Sequence, residues 1–429
     1  MPRITLIGKY LPILRAIAIA ACFHCGAAFA GDGELLSLER CIEIAVASRP
    51  NLAEAKSAIE AASARLGLAA ASYRTTLGAS SSYGYSRSDG LSSGQNGRAA
   101  ADLSLSQTIF DWGRNDLSVQ SARQSLSAVS QDALNTMSNV IANVSTSYYS
   151  LNRSSRALLI AADRADNYEK RLGWAKTFYD AGAKAKIEVT KAETDLANAR
   201  LDLVQAKGAL ERSQAELAHA IGLSEWTGGV ADSLAYTSYD VAVRDAVDRA
   251  LFARPDITAQ AERVKAAELA VELAKKGNSP TLTGRAGYSF SGETDPTDTR
   301  GWSVSVGIDI PVFDGGMTRE RVRQSEAELS GSKAKLAGLM QDVVLNIRSA
   351  HSALTEARES VAAAREAERQ AKETLELAQG RYRAGVGESL EISTAVDGYA
   401  QARIKSLTAL YSLKAAEIKL KQEMGALAE

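Results

Sequence analysis

The feature that most constrains this chain is that it is written twice. Shifted by 203 residues, the sequence matches itself. Tyr179-Asp180-Ala181-Gly182 returns as Tyr382-Arg383-Ala384-Gly385, and Ile187-Glu188-Val189 returns as Leu390-Glu391-Ile392. Ala197-Asn198-Ala199-Arg200 returns as Ala400-Gln401-Ala402-Arg403, and Phe110-Asp111-Trp112-Gly113 answers Phe313-Asp314-Gly315-Gly316. Near the start of each copy, Arg49-Pro50-Asn51-Leu52 pairs with Arg254-Pro255-Asp256-Ile257 at a shift of 205. Chance likeness between alanine-rich helices does not account for matched Gly, Phe-Asp and Arg-Pro landmarks, so the chain must build one plan twice. The first repeat is expected over 31–235 and the second over 236–429, behind a leader at 1–30.

Within each copy the predicted order is a short helix, a helix, two strands, a very long helix, a turn and a return helix. Pro50 and Pro255 suit the first turn of a helix, where a missing N–H leaves nothing unsatisfied. The long helices are expected at about 113–181 and 316–384, and some 68 residues make a rod of roughly 100 Å. Such a rod needs neighbours along its length. On the return helices, Leu196, Leu203, Leu210 and Leu217 recur every seven residues, with Ala199, Ala206, Ser213 and Ala220 three places on. The second copy reads Tyr399, Ser406, Leu413 and Leu420, with Ala402, Ala409 and Ala416. That repeat implies left-handed supercoiling. A further stripe of Ile404, Leu407, Tyr411 and Ile418 calls for a neighbour on each side, as in a curved wall of helices; an ordinary bundle with one wide apolar face is the alternative.

Between the helices the period changes to two. Trp302, Val304, Val306, Ile308 and Ile310 alternate with Ser303, Ser305, Gly307 and Asp309, and Leu282, Ala286, Tyr288 and Phe290 alternate with Thr283, Arg285, Gly287 and Ser289. The first copy repeats this more weakly around Ala79, Tyr83 and Tyr85 and around Leu103, Leu105 and Ile109. Strands are expected at about 77–87, 99–110, 281–291 and 301–311, each near the length of a tilted membrane strand. The linking segments Arg87 to Arg98 and Gly292 to Arg300 read as polar loops. Two hairpins leave edges that hydrocarbon does not tolerate. Either they form a soluble sheet, or three chains pool twelve strands into a closed barrel.

Residues Met1 to Ala30 carry Arg3, Lys9 and Arg15, no acid, an apolar run from Ala16 and a small-x-small end at Ala28-Phe29-Ala30, as a secretory signal does. Ile19-Ala20-Ala21-Cys22 offers the alternative of lipidation at Cys22. With 50 basic and 51 acidic residues in all, removing the leader leaves (50 − 3) − 51 = −4, which gives no electrostatic case for nucleic acid. It also leaves Cys41 alone, without a disulfide partner and expected in the core. Seven prolines and 6% aromatics favour long helices. Three scattered histidines and the absence of a Gly-Lys-Ser/Thr phosphate loop or a His-Glu-x-x-His motif argue against an enzyme, and no metal or cofactor is expected.

Together the doubled plan, Leu36-Ser37-Leu38-Glu39 leading into Pro50, the Phe-Asp-x-Gly turns and the Tyr-x-Ala-Gly turns resemble the TolC-like outer-membrane efflux proteins over essentially all of 37–425. The resemblance implies a mainly α chain with membrane β. As a homotrimer it would form a 12-stranded β-barrel in the outer membrane on a 12-helix coiled-coil α-barrel in the periplasm. It implies an exit duct for efflux or secretion, a periplasmic adaptor protein, and an inner-membrane RND, ABC or MFS transporter as the pump. Tyr179, Gly182, Tyr382 and Gly385 would lie in the periplasmic tip turns where the adaptor docks, and Glu188 and Glu391 would narrow the entrance. Two departures stand out: Gly387 occupies a place where the family carries a basic residue, and Thr75 stands where the second copy has Pro280. From another class, a soluble periplasmic coiled-coil scaffold or adaptor remains the alternative.

Overall fold

The computed structural model describes residues 35–88, 94–231, 239, 241–292 and 299–427. The leader and Cys22 lie outside the described residues, as do 89–93 and 293–298 of the two hairpin loops. In chain order the elements are α1 (Leu38–Ser48), α2 (Pro50–Ala71), β1 (Thr76–Ser88), β2 (Gly94–Phe110), α3 (Arg114–Asp180), α4 (Lys186–Ile221), α5 (Val243–Ala253), α6 (Pro255–Lys275), β3 (Thr281–Gly292), β4 (Thr299–Asp309), α7 (Met317–Arg383) and α8 (Ser389–Glu423). The two long helices, α3 and α7, each have 67 residues, and both start and finish 203 residues apart. β1 and β2 run further into Arg87–Arg98 than the loop reading allowed, with Arg87 paired to Gln95 and Ser88 to Gly94.

The compact units are not the two repeats. One comprises 35–53, 135–254 and 343–427 of the described chain, and the other 54–134 and 255–342, so each takes matching portions of both copies. α3 and α7 run from one unit into the other.

The first unit is helical. α3 packs against α4 through Arg171–Asp195 and Arg164–Asp202, and against α8 through Arg164–Asp397 and Arg403–Asp163. α7 joins them in a core of Tyr168, Leu196, Leu375, Ala378, Tyr382, Ile392 and Val396. α8 has its first stripe covered within the chain, with Leu413 and Leu420 buried, and its second covered in part: Leu407 is buried and Arg153 lies over the Tyr411 ring at 4.6 Å, while Ile404 stays 39% exposed. α4 buries one side only, leaving Leu201 and Val204 exposed. A second core gathers Cys41, Ala45, Tyr148, Leu151, Leu217 and Ile221. Its α1 residues have counterparts at the shift of 205, since Cys41 and Ala45 of α1 match the buried Ala246 and Ala250 of α5.

The Arg-Pro landmarks acquire a reason in this unit. A helix C-terminus leaves carbonyls without donors and carries partial negative charge. Arg49 Nη1 donates to the His219 carbonyl at 2.6 Å near the end of α4, and Arg254 Nη1 donates to the Glu423 carbonyl at 3.1 Å at the end of α8 and also pairs with its carboxylate. Each arginine closes a return helix while the proline after it opens the next one.

The Phe-Asp-x-Gly turns start the long helices in the second unit. Asp111 accepts from the Gly113 and Asn115 amides at 3.1 and 2.8 Å, and Asp314 accepts from Gly316 and Thr318 at 2.9 and 2.7 Å. These are N-terminal caps, satisfying donors that the first turn cannot. The turn needs two residues at positive φ, namely Gly315 and Gly316 in one copy and Trp112 and Gly113 in the other. Trp112, at φ 58°, adopts a conformation costing about 1–2 kcal/mol for a residue with a Cβ.

Candidate functional site

Two places in the chain stand out: the sheet and the turns between long and return helices. The four strands form one antiparallel sheet in the order β1-β2-β3-β4, so β1 and β4 are edges without a strand partner among the described residues. The register sorts the side chains by face, because directly paired residues point the same way. Leu77 pairs with Leu105, Leu105 with Ala286 and Ala286 with Val304; Ala79, Leu103, Tyr288 and Trp302 form the next row. On the other face lie Ser80, Asp102 and Ser289 in one row, and Ser106, Arg285 and Ser305 in another. The apolar face is uncovered: Trp302 is 78% exposed, and Leu77, Tyr83, Val304, Val306 and Ile308 are exposed too. In water a contiguous face of this kind carries a large hydrophobic penalty.

At the turn between α3 and α4, the Ala183 and Lys184 amides both donate to the Phe178 carbonyl, at 2.9 and 3.2 Å, and Gly182 takes φ 68°. At the turn between α7 and α8, the Val386 and Gly387 amides donate to the Arg381 carbonyl at 3.2 and 3.0 Å, and Gly385 takes φ 78°. A Cβ on Gly387 would lie 2.8 Å from the Tyr382 nitrogen, so any larger residue would force the backbone of the turn to shift. The basic partner comes instead from Arg381, whose Nε lies 3.1 Å from Glu391 Oε1.

The repeat-related tyrosines part company. Tyr179 is 43% exposed, whereas Tyr382 is buried against Phe178 and Trp174, with ring centroids 5.7 and 6.3 Å away. Burial raises the Tyr382 phenol above its ordinary range against the nearby Arg171 cation, and the Glu188 charge adds to the rise. Glu188 Oε2 and the Tyr382 hydroxyl are both buried without a hydrogen-bond partner. Glu391 is half-exposed beside a groove of about 510 Å³ lined by Glu388, Leu390, Thr394 and Tyr399. Thus Glu188 and Glu391, matched in sequence, sit in unlike surroundings.

Sequence reading missed the polar network behind these turns. Arg171 is fully buried, pairs with Asp195 of α4, and donates from Nη2 to Ser389 Oγ at 2.6 Å in the first turn of α8. Ser393 Oγ donates to the same Asp195 at 3.2 Å. One layer on, Arg164 and the Tyr168 hydroxyl converge on Asp397 Oδ1, at 2.8 and 2.6 Å. Burial pushes the Tyr168 phenol up to about 12, reinforced by the hydrogen bond to Asp397. The only available signal was an arginine inside an apolar stripe, which a single sequence does not distinguish from a surface cation. His351 Nε2 meets the Val241 carbonyl at 3.1 Å, a packing role. Among the described residues no group of three or more His, Cys, Asp or Glu is arranged to hold a metal, and no helix is long and apolar enough to cross a membrane.

The family model described as outer membrane efflux protein matches residues 41–223 and 246–426, one stretch in each half. The chain belongs to that family. It is 27% identical over 376 residues to Protein CyaE of Bordetella pertussis, covering 86% of this chain and 79% of the relative. It is 21% identical over 444 residues to the outer membrane protein TolC of Escherichia coli, covering 98% and 87%. Among solved structures, the Campylobacter jejuni CmeC outer membrane channel aligns with a TM-score of 0.80 at 18% identity, over 91% of this chain and 85% of that one. The mainly helical fold with a small antiparallel sheet is therefore that of the TolC-like channels, and the efflux family to which the chain belongs transports rather than catalyses.

Proposed function

We propose that the chain forms a homotrimeric duct through the outer membrane, giving substrates an exit from the periplasm. Three copies of the four-stranded sheet pool into a 12-stranded barrel, and the helices assemble into a 12-helix barrel in the periplasm. The observation that carries this reading is the sheet itself, with two unpaired edges and one exposed apolar face. Closure removes the edges and lipid covers the face. The polar face, with Asp102, Arg285 and its serines, then lines the lumen. Exposed apolar side chains on α4 (Leu201, Val204) and on α7 (Leu345, Leu377) supply contacts for neighbouring copies.

The tip turns at Tyr179–Gly182 and Tyr382–Gly385 are the docking place for a periplasmic adaptor, and Glu188 and Glu391 border the entrance. An inner-membrane pump of the RND, ABC or MFS class supplies the energy. The test is mass in detergent together with conductance in a planar bilayer. A trimer that conducts, and whose assembly is blocked by Val304→Arg, supports the duct. Arginine near a bilayer midplane costs about 2–4 kcal/mol per copy. A monomer soluble without detergent, silent in the bilayer and indifferent to Val304→Arg refutes it in favour of the scaffold.

A further inference from the structure

The polar face of the sheet is built mostly of serine, threonine and glycine, as in the row Ser104, Gly287 and Ser303. Four charged residues interrupt it in a regular order. Arg98 pairs with Gly84; four residues on, Asp102 pairs with Ser80 and Ser289. Four further on, Ser106 pairs with Arg285, and four beyond Arg285, Thr281 pairs with Asp309. The sign therefore alternates every four residues, which is about 13 Å along a strand. All four side chains are exposed, and none has an ion-pair partner among the described residues. Arg300, paired to Phe290, belongs to the apolar face instead.

On an open sheet such charges are solvated from all sides and act on nothing beyond a Debye length. Closure of three sheets concentrates them. Twelve strands about 4.8 Å apart and tilted by about 40° enclose a backbone radius of about 12 Å. Three arginines reaching about 6 Å inward then stand about 10 Å from one another around the axis, one Debye length at 0.1 M salt. The tilt brings successive rows to about 10 Å along the axis as well. Each row therefore acts as a ring with its own local potential, screened in part from the rings of opposite sign beside it.

We propose that the lumen of the barrel is a ladder of charge rings of alternating sign, in which Arg285 is the cationic step between two acidic ones and lets cargo groups of either sign pass by short steps. Conduction requires sites that attract enough to admit a group and release it again, and a wall of one sign would hold its counter-ion. Without Arg285 the rows of Asp102 and Asp309 stand unopposed over about 26 Å of strand, and the lumen becomes a cation trap. The proposal rests on closure of the sheets into a barrel, and the test separates the two. In a Cys22→Ser, Cys25→Ser, Cys41→Ala chain, single thiols are placed by Ser305→Cys in the Arg285 row, by Ser289→Cys in the Asp102 row and by Val304→Cys on the apolar face. In lipid nanodiscs at 0.1 M salt, each is titrated with an anionic and a cationic methanethiosulfonate, and the rates are divided by those for 2-mercaptoethanol. The ratio of the two reagents at one position cancels any difference in thiol pKa.

The anion-to-cation rate ratio should be about fivefold higher for Ser305→Cys than for Ser289→Cys, and Val304→Cys, facing lipid, should react with neither reagent. Adding Arg285→Gln to Ser305→Cys should turn its preference to the cationic reagent, because the nearest rings are then both acidic, whereas Arg285→Lys should keep the anionic preference. Arg285 is exposed and unpaired, so neither change removes a contact that the fold needs. Ratios within twofold of each other at the two polar-face positions, with Val304→Cys protected, overturn the ladder and leave the barrel standing. A ratio for Ser305→Cys that Arg285→Gln does not move overturns the role of Arg285. Val304→Cys as reactive as the other two places the sheet in water and overturns the duct as well.

Discussion

Replacing Arg171 by methionine removes a guanidinium that has no solvent exposure and holds three helices at once. It pairs with Asp195 on α4 and donates to Ser389 at the start of α8. Removing one partner of a buried pair costs about 3–5 kcal/mol, chiefly because the other charge is left stranded. Asp195 is 22% exposed and keeps its hydrogen bond from Ser393, so the low end, about 3 kcal/mol, applies. The loss is local to the first turns of α4 and α8, and amide hydrogen exchange reads local opening directly. At 1.4 kcal/mol per factor of ten, amides in 187–196 and 389–397 should exchange about a hundredfold faster. Arg171→Met with Asp195→Leu removes both charges and should exchange more slowly than the single variant, since an apolar pair can replace a buried ion pair at little cost. Exchange within threefold of the parent in Arg171→Met, or a double variant worse than the single, would refute the claim that this pair fastens the first turns of α4 and α8 to α3.

Gly387→Arg, which installs the missing basic residue, should lower the melting temperature rather than build a latch. Its Cβ would meet the Tyr382 nitrogen at 2.8 Å and the Arg381 carbonyl carbon at 3.0 Å, an overpacking of about 1–3 kcal/mol. Gly387→Ala should share that loss, while Gly380→Ala, with nothing near its Cβ and a place in α7, should hold or gain stability in the same melt. Tyr168, with its phenol at about 12 in the folded chain against an ordinary value of 10.0, binds its proton more tightly when folded. Its contribution is whole below pH 10 and is lost as pH rises through about 12; Tyr168→Phe should flatten that part of a stability–pH curve. Cys41, pushed up to about 11 by burial and by Glu39, should resist maleimide at neutral pH in a Cys22→Ser, Cys25→Ser chain until denaturant unfolds it. Asp111→Ala and Asp314→Ala each remove a cap from a long helix and should each cost about 1 kcal/mol in denaturant melts.

The landmarks visible in the sequence turn out to be the residues that local geometry cannot do without. Pro50 and Pro255 open helices, Asp111 and Asp314 cap Arg114–Asp180 and Met317–Arg383, and Gly182 and Gly385 take the positive φ of the turns that follow those long helices. These roles are set within a few residues of chain, so both copies keep them and the duplication exposes them. The alternation of Trp302 to Ile308 likewise revealed a one-sided strand, because its period of two is a property of the backbone.

The sequence by itself determined the doubled plan, the order and type of the elements, and the division of the sheet into an apolar and a polar face, while β2 begins at Gly94, inside the stretch that reads as a loop. Only the tertiary structure decided what each matched residue meets. Tyr179 and Tyr382 share a motif, yet one faces solvent and the other faces Phe178 and Trp174. Arg171, Asp195 and Ser389 converge from positions up to 218 residues apart, a meeting that no local pattern encodes. The same holds for Glu391, whose partner Arg381 stands across the turn that Gly387 keeps tight. Repetition copies local conformation, which depends on neighbours in the chain; burial and charge pairing depend on neighbours in space, and those differ for the two copies, as Tyr382 against Phe178 and Trp174 and the Arg171 network across α3, α4 and α8 illustrate.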